Sequence, residues 1–142
     1  MTDSKGLVGL NNQGNTCYLN SILQCLFHSK KFIIYLFNHT DSITNSSKNN
    51  LLKEFVSLVD KIWFSDNHHV TPDAFLHKLV ETYPFYRIGE QQDSHECMLN
   101  IFEELEKNII DMDIDFKKCE EKEWFSIFKK HNFLKEVFYG LY

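Results

Sequence analysis

No run in this chain approaches the roughly 18 consecutive apolar residues that span a bilayer; the longest apolar cluster is Phe32 to Phe37. No membrane partner is therefore expected. The opening Met1-Thr2-Asp3-Ser4-Lys5 lacks the charged-then-apolar layout of a signal peptide. Excess positive charge is missing as well. Fifteen Lys and Arg against twenty Asp and Glu give a net charge of −5, which removes the usual ground for expecting a nucleic-acid partner. A modestly acidic surface suits a basic protein instead. Cysteine is scarce and irregular: Cys17, Cys25, Cys97 and Cys119 contain no Cys-x-x-Cys pair. Without a secretory signal they read as reduced thiols, in a cytoplasmic or nuclear protein. Internal repeats are absent, and so is low-complexity sequence outside the Asn/Ser-rich stretch 40–50.

What the chain does have is enough apolar mass to fold. It has 142 residues, 43% of them hydrophobic, with thirteen Phe, six Tyr and two Trp. That fits one domain around a single core and does not fit a disordered chain.

The apolar pattern is mainly helical. After a short polar lead over 1–8, Leu19, Ile22, Leu23, Leu26 and Phe27 recur at helical spacing, with Thr16 as a candidate N-cap. Phe32 to Phe37 reads as a short helix, although periodicity alone leaves a strand open. Thr40 to Asn50 is polar and helix-poor, and reads as a surface loop. Leu51, Leu52, Phe55, Leu58, Val59, Ile62 and Trp63 define an amphipathic helix. Thr71-Pro72-Asp73 carries the signs of a helix start: a capping hydroxyl, Pro in the first turn and an acid near the dipole. That helix presents Phe75, Leu76, Leu79 and Val80, and should stop near Tyr83-Pro84. Another begins near Asp93 and uses Cys97, Ile101, Phe102, Leu105 and Ile109. Asp111 to Glu123 reads as a charged connection, and Trp124 to Tyr139 as aromatic-rich and helical in its first half.

One stretch has the makings of a reactive site. Gly9-Leu10-Asn11-Asn12-Gln13-Gly14-Asn15-Thr16-Cys17 leads from a Gly/Asn-rich loop into the first helix, with Cys17 at the junction. A thiol there faces unpaired N–H groups and the positive end of the helix dipole, and both favour the nucleophilic thiolate. Asn12 offers an amide donor of the kind that stabilises an oxyanion, and the Cys17 N–H offers a second. Gly9 and Gly14 permit tight turns. The plainer alternatives stand beside this. A free Cys is commonly a small buried hydrophobe, which is how Cys25 reads among Leu23, Leu26 and Phe27, and a loop Asn commonly only turns the chain.

Residues 9–24 resemble, over sixteen consecutive positions, the cysteine box of the ubiquitin-specific proteases. These are papain-like thiol hydrolases that cut after the C-terminal glycine of ubiquitin. The resemblance implies that Cys17 is the nucleophile and Asn12 the side-chain oxyanion donor. Downstream, residues 89–102, Gly89-Glu90-Gln91-Gln92-Asp93-Ser94-His95-Glu96-Cys97-Met98-Leu99-Asn100-Ile101-Phe102, resemble the family's Gln-Gln-Asp box. It implies that Asp93 and Glu96, with Gln92 beside them, contact the arginine-bearing tail of ubiquitin. Carboxylate–guanidinium bonds are the strong, charge-assisted kind that suits such a tail. Asp93 and Glu96 also have the spacing of a capping pair, and one carboxylate can serve both roles. Cys97 falls where the family usually has a bulky apolar residue, so a core position is expected. Phe133 to Gly140 is a looser match to the family's approach to its first zinc-ribbon strand.

Papain-like chemistry needs a His to take the thiol proton and an Asn or Asp to orient it. The family's Gly-His-Tyr type signature does not occur in this sequence. His131 has a papain-like separation from Cys17 and is followed by Asn132, but it lacks the glycine and aromatic neighbours of that signature and reads as a surface residue. His28, His39 and His77 read as surface or helix-end residues, and His68-His69 have no further ligands near them in sequence. No metal and no cofactor are expected. The expectation is therefore a mainly α, helical thumb-like portion of a papain-like (α+β) cysteine protease domain, over residues 1–142 as one partial domain, truncated before the fingers and palm. Its expected partners are ubiquitin and ubiquitinated proteins. A second chain, or further C-terminal sequence, would complete the cleft and cover an apolar face. The chain alone is expected to be inactive; the other reading is a non-catalytic, ubiquitin-binding or regulatory remnant.

Overall fold

The computed structural model describes residues 5–45, 50–113 and 138. In chain order these form β1 (Gly9–Leu10), α1 (Cys17–Phe27), α2 (Lys30–Asn45), α3 (Asn50–Phe64), β2 (His69–Val70), α4 (Asp73–Thr82) and α5 (Ser94–Asp113). The mainly helical class read from the pattern holds. Each helix turns its apolar stripe inward: Leu19, Leu23, Leu26 and Phe27 from α1, Phe32, Ile33 and Leu36 from α2, and Phe75, Leu76 and Leu79 from α4 are all buried. Phe55 of α3 is the meeting point. Its ring lies 5.5 Å from Phe27, 6.1 Å from Phe32 and 5.7 Å from Phe75, so one side chain joins α1, α2 and α4. Phe138 adds its ring to Phe32 and Phe102 at 5.7 and 4.8 Å.

Two readings of the polar middle need correcting. Phe32 to Phe37 is helical, but it is only part of a 16-residue helix, and Thr40 to Asn45 continues it instead of forming a loop. Ile43, 2% exposed, anchors the extra turns in the core. The Thr40 and Thr44 hydroxyls donate back to the carbonyls of Leu36 and Thr40 instead of competing with the helix. Burial outweighs the weak propensity of the Asn, Ser and Thr residues. At α4, the expected Thr71 cap is absent. Pro72 occupies the N-cap position with no side-chain cap, and Thr71 Oγ1 accepts from Asn11 Nδ2 at 2.9 Å. The acidic connection expected from Asp111 begins inside α5, and 114–123 lies outside the described residues, as does 124–139 apart from Phe138.

The sequence pattern did not signal the small sheet. Gly9–Leu10 pairs in parallel with His69–Val70, with Gly9 N–H donating to His68 O at 3.0 Å and Asn11 N–H to Val70 O at 2.9 Å. Gly9 is thus a strand residue, not the turn residue expected. The other side of the segment is held by α1. Gln24 Nε2 donates to Val8 O at 3.0 Å, Asn20 Nδ2 donates to Leu10 O and Asn11 O at 3.4 and 3.1 Å, and His28 Nε2 lies 2.9 Å from Gly6 O. The match is geometric. Four helix residues rise about 6 Å and two strand residues about 6.6 Å, so side chains at i, i+4 and i+8 meet alternate carbonyls. This clip sets where the loop before Cys17 begins.

Candidate active site

The turn before α1 is built around two side chains. Asn12 Oδ1 accepts from Gly14 N–H at 3.0 Å, Thr16 N–H at 3.3 Å and the Thr16 hydroxyl at 3.2 Å. Thr16, 2% exposed, also accepts from Gln13 N–H at 2.9 Å. Thr16 holds the N-cap position, as expected, but folds the loop and makes no cap to the helix. The consequence for Cys17 is direct. Its N–H opens a helix whose first-turn donors have no side-chain acceptor, and such donors are left for water or a ligand. Three donors on Oδ1 also fix which way the Asn12 amide faces, and its NH2 has no partner among the described residues. Gly14, at φ +82°, and Asn15, at φ +55°, supply two consecutive left-handed residues that close the turn.

Cys17 is exposed, as a reactive thiol must be. Cys25 is exposed too, which corrects its assignment to the core. At two turns and a residue beyond Cys17 it falls outside the stripe of Leu19, Leu23, Leu26 and Phe27. Cys97 is fully buried on α5, as expected. Burial pushes its thiol up to about 12, so it remains protonated at neutral pH.

At the start of α5, Asp93 Oδ1 accepts from the N–H groups of His95 and Glu96 at 2.8 and 3.0 Å. Asp93 is a helix cap. These backbone bonds, Glu96 first, hold its carboxyl below the usual value. Glu96 does not bond back to Asp93, so the reciprocal capping box is incomplete and its carboxylate is exposed without a partner among the described residues. Gln92 is half-buried.

The fold brings these two segments together. Asn15 Nδ2 donates to Gly89 O at 2.8 Å across 74 residues of sequence. Tyr18, next to Cys17, lies parallel to Tyr86 at 6.2 Å between ring centroids, and α1 packs along α5. Tyr86 is held in turn by Asn100 Nδ2, which donates to its hydroxyl at 2.8 Å. Sequence reading missed this layer. No local pattern marks it; the polar stripe of Asn20, Gln24 and His28 marks instead the contacts of α1 with the 6–11 segment. Among the described residues no histidine hydrogen-bonds to Cys17, and no three His, Cys, Asp or Glu side chains gather as metal ligands. His131 lies outside the described residues.

A family model described as ubiquitin carboxyl-terminal hydrolase matches residues 8–141. The chain belongs to that family. It is 36% identical over 96 residues to ubiquitin carboxyl-terminal hydrolase Usp2 of Drosophila melanogaster, covering 67% of this chain and 10% of that protein. It is 33% identical over 111 residues to ubiquitin carboxyl-terminal hydrolase 2 of Rattus norvegicus, covering 75% of this chain and 18% of the relative. Among solved structures it is similar to a chain of the SAGA Ubp8/Sgf11/Sus1/Sgf73 DUB module bound to ubiquitin aldehyde. The TM-score is 0.66 at 26% identity, covering 84% of this chain and 28% of that one. The same module bound to monoubiquitin gives 0.67 at 25% identity. The chain therefore spans a minor part of each relative, and within that part its helical architecture is that of the family's catalytic domains.

Proposed function

We propose that this chain is the nucleophile-bearing part of a cysteine hydrolase that cleaves the isopeptide or peptide bond after the C-terminal glycine of ubiquitin. The observation that carries the reading is the turn at Asn12. Its Oδ1 is taken up by Gly14 and Thr16, so the NH2 is the end left to donate, beside an uncapped helix start at an exposed Cys17. Cys17 Sγ adds to the glycine carbonyl carbon, and Asn12 Nδ2 and the Cys17 N–H hold the oxyanion. Collapse expels the amine, which takes its proton from a histidine acid, and water then releases ubiquitin from the thioester. Asp93, Glu96 and Gln92 contact the basic tail, with the second oxygen of Asp93 free to do so while the first caps α5.

The family's histidine signature is not in this sequence, and no histidine among the described residues bonds to Cys17, so the 142-residue chain alone does not turn over substrate. A further segment or a second chain supplies the base. Two assays on the purified chain test this. Turnover of a fluorogenic ubiquitin substrate should be absent, and ubiquitin carrying a C-terminal electrophile should form an adduct that Cys17→Ala abolishes. Non-covalent ubiquitin binding without an adduct favours the binding-remnant reading. Neither adduct nor binding rejects both.

A further inference from the structure

Asn15 is the sole non-glycine among the described residues with a positive φ, at +55°. Glycine occupies such positions at no steric cost, and Asn is the residue that tolerates them while carrying a donor. The donor is used. Although Asn15 is exposed, its Nδ2 lies 2.8 Å from the carbonyl oxygen of Gly89, at the entry to the 89–93 segment. The left-handed backbone aims the side chain across the gap, and the residues on either side of the bond are the ones whose relative position matters. Cys17 lies two residues after Asn15. Asp93, the cap of α5, lies four after Gly89. Deeper in, Tyr18 on Tyr86 joins the same two segments. Gly89 is turned back by a tight bend in which Glu90 N–H donates to Arg87 O at 3.2 Å; Asn15 is the side chain that fastens this bend to the nucleophile turn.

We propose that Asn15 is a positioning residue: its amide sets the distance between the nucleophile turn and the Gln92–Asp93–Glu96 surface, and so the register in which a basic C-terminal tail meets Cys17. The second half of that statement rests on the function proposed above; the first does not. Asn15 itself touches neither tail nor reacting atoms.

Two measurements on the full chain separate them. Amide hydrogen exchange at Glu90, whose N–H is bonded to Arg87 O, should accelerate roughly fivefold in Asn15→Gly, which relaxes the backbone but removes the donor. Asn15→Asp, which keeps left-handed tolerance and faces the Gly89 carbonyl with an acceptor, should do at least as much. Exchange in α3 should not change in either variant. Unchanged exchange at the Glu90 amide in both variants overturns the tether whatever the chain binds. Then, with the ubiquitin electrophile, the apparent binding constant for capture should weaken about fivefold to tenfold in Asn15→Gly, while the limiting rate of adduct formation stays within about twofold. A loss confined to the fraction of competent protein would indicate only a folding role and overturn the positioning claim. If the unaltered chain forms no adduct, the catalytic reading fails and the exchange result still judges the tether.

Discussion

Truncating Gln24 to Ala removes the central tooth of the clip that holds the segment before the nucleophile turn. Gln24 Nε2 donates to Val8 O at 3.0 Å, between the Asn20 contacts with Leu10 and Asn11 and the His28 contact with Gly6. The Val8 side chain is buried at 4% exposure, so its carbonyl sits beside the core and gains no ready replacement donor. A net hydrogen bond contributes about 1 kcal/mol, and a carbonyl left unsatisfied in a partly buried place raises the cost to about 2 kcal/mol. For a chain of this length that corresponds to a fall in Tm of roughly 5–10 °C. The segment also bonds to His68 O through Gly9 N–H and to Val70 O of β2 through Asn11 N–H, and loosening the clip should speed exchange at both amides. Thermal melting followed by far-ultraviolet circular dichroism, with amide exchange on the same samples, reads both effects. Ser21→Ala is the control. Among the described residues its hydroxyl bonds only to the Cys17 carbonyl within the same helix, and it is exposed, so its change should stay within about 0.5 kcal/mol. A Gln24→Ala protein with an unaltered Tm and unaltered exchange at Gly9 would refute the clip.

Two further outcomes follow from burial. Burial pushes Tyr18 up to about 12, and Tyr83 and Tyr86 also rise, chiefly by burial, with the Glu104 carboxylate adding to the shift at Tyr83. A raised folded value means that this stabilisation is complete below the ordinary tyrosine value of 10.0 and is lost as pH climbs through the folded value. Tyrosinate absorbance from these three residues should therefore appear together with loss of helix above pH 10; ionisation with intact helix would contradict the packing of Tyr18 on Tyr86. In a thiol-labelling time course on native protein, Cys17 and Cys25 should react and Cys97 should react only after denaturation. Rapid native labelling of Cys97 would show that the α1–α5 interface is open.

The apolar stripes of α1, α3, α4 and α5 were legible in the sequence because burial imposes a period that side-chain type records. The end of α2 was not. Thr40 to Asn45 is written in loop-forming residues, and one buried Ile43, with hydroxyls turned onto the preceding carbonyls, keeps it helical. Cys25 was assigned to the core because its sequence neighbours are apolar, yet a step of one residue on a helix rotates about 100° and carries it off the stripe. At the site, the segment joining Asn12, Cys17 and Asp93 was visible as motifs, and its fastening was not. The bond from Asn15 to Gly89 and the stacking of Tyr18 on Tyr86 each join residues about 70 apart in sequence, and no local pattern encodes such a pairing.

The exposed pair Cys17 and Cys25 makes one measurement decisive. They share a helix and both are exposed, but only Cys17 has the uncapped helix start and the Asn12 amide beside it. Peptide mapping of the chain after exposure to ubiquitin bearing a C-terminal electrophile should find the adduct on Cys17 and none on Cys25. An adduct distributed over both thiols, or one that survives in Cys17→Ala, would contradict a nucleophile at the head of α1.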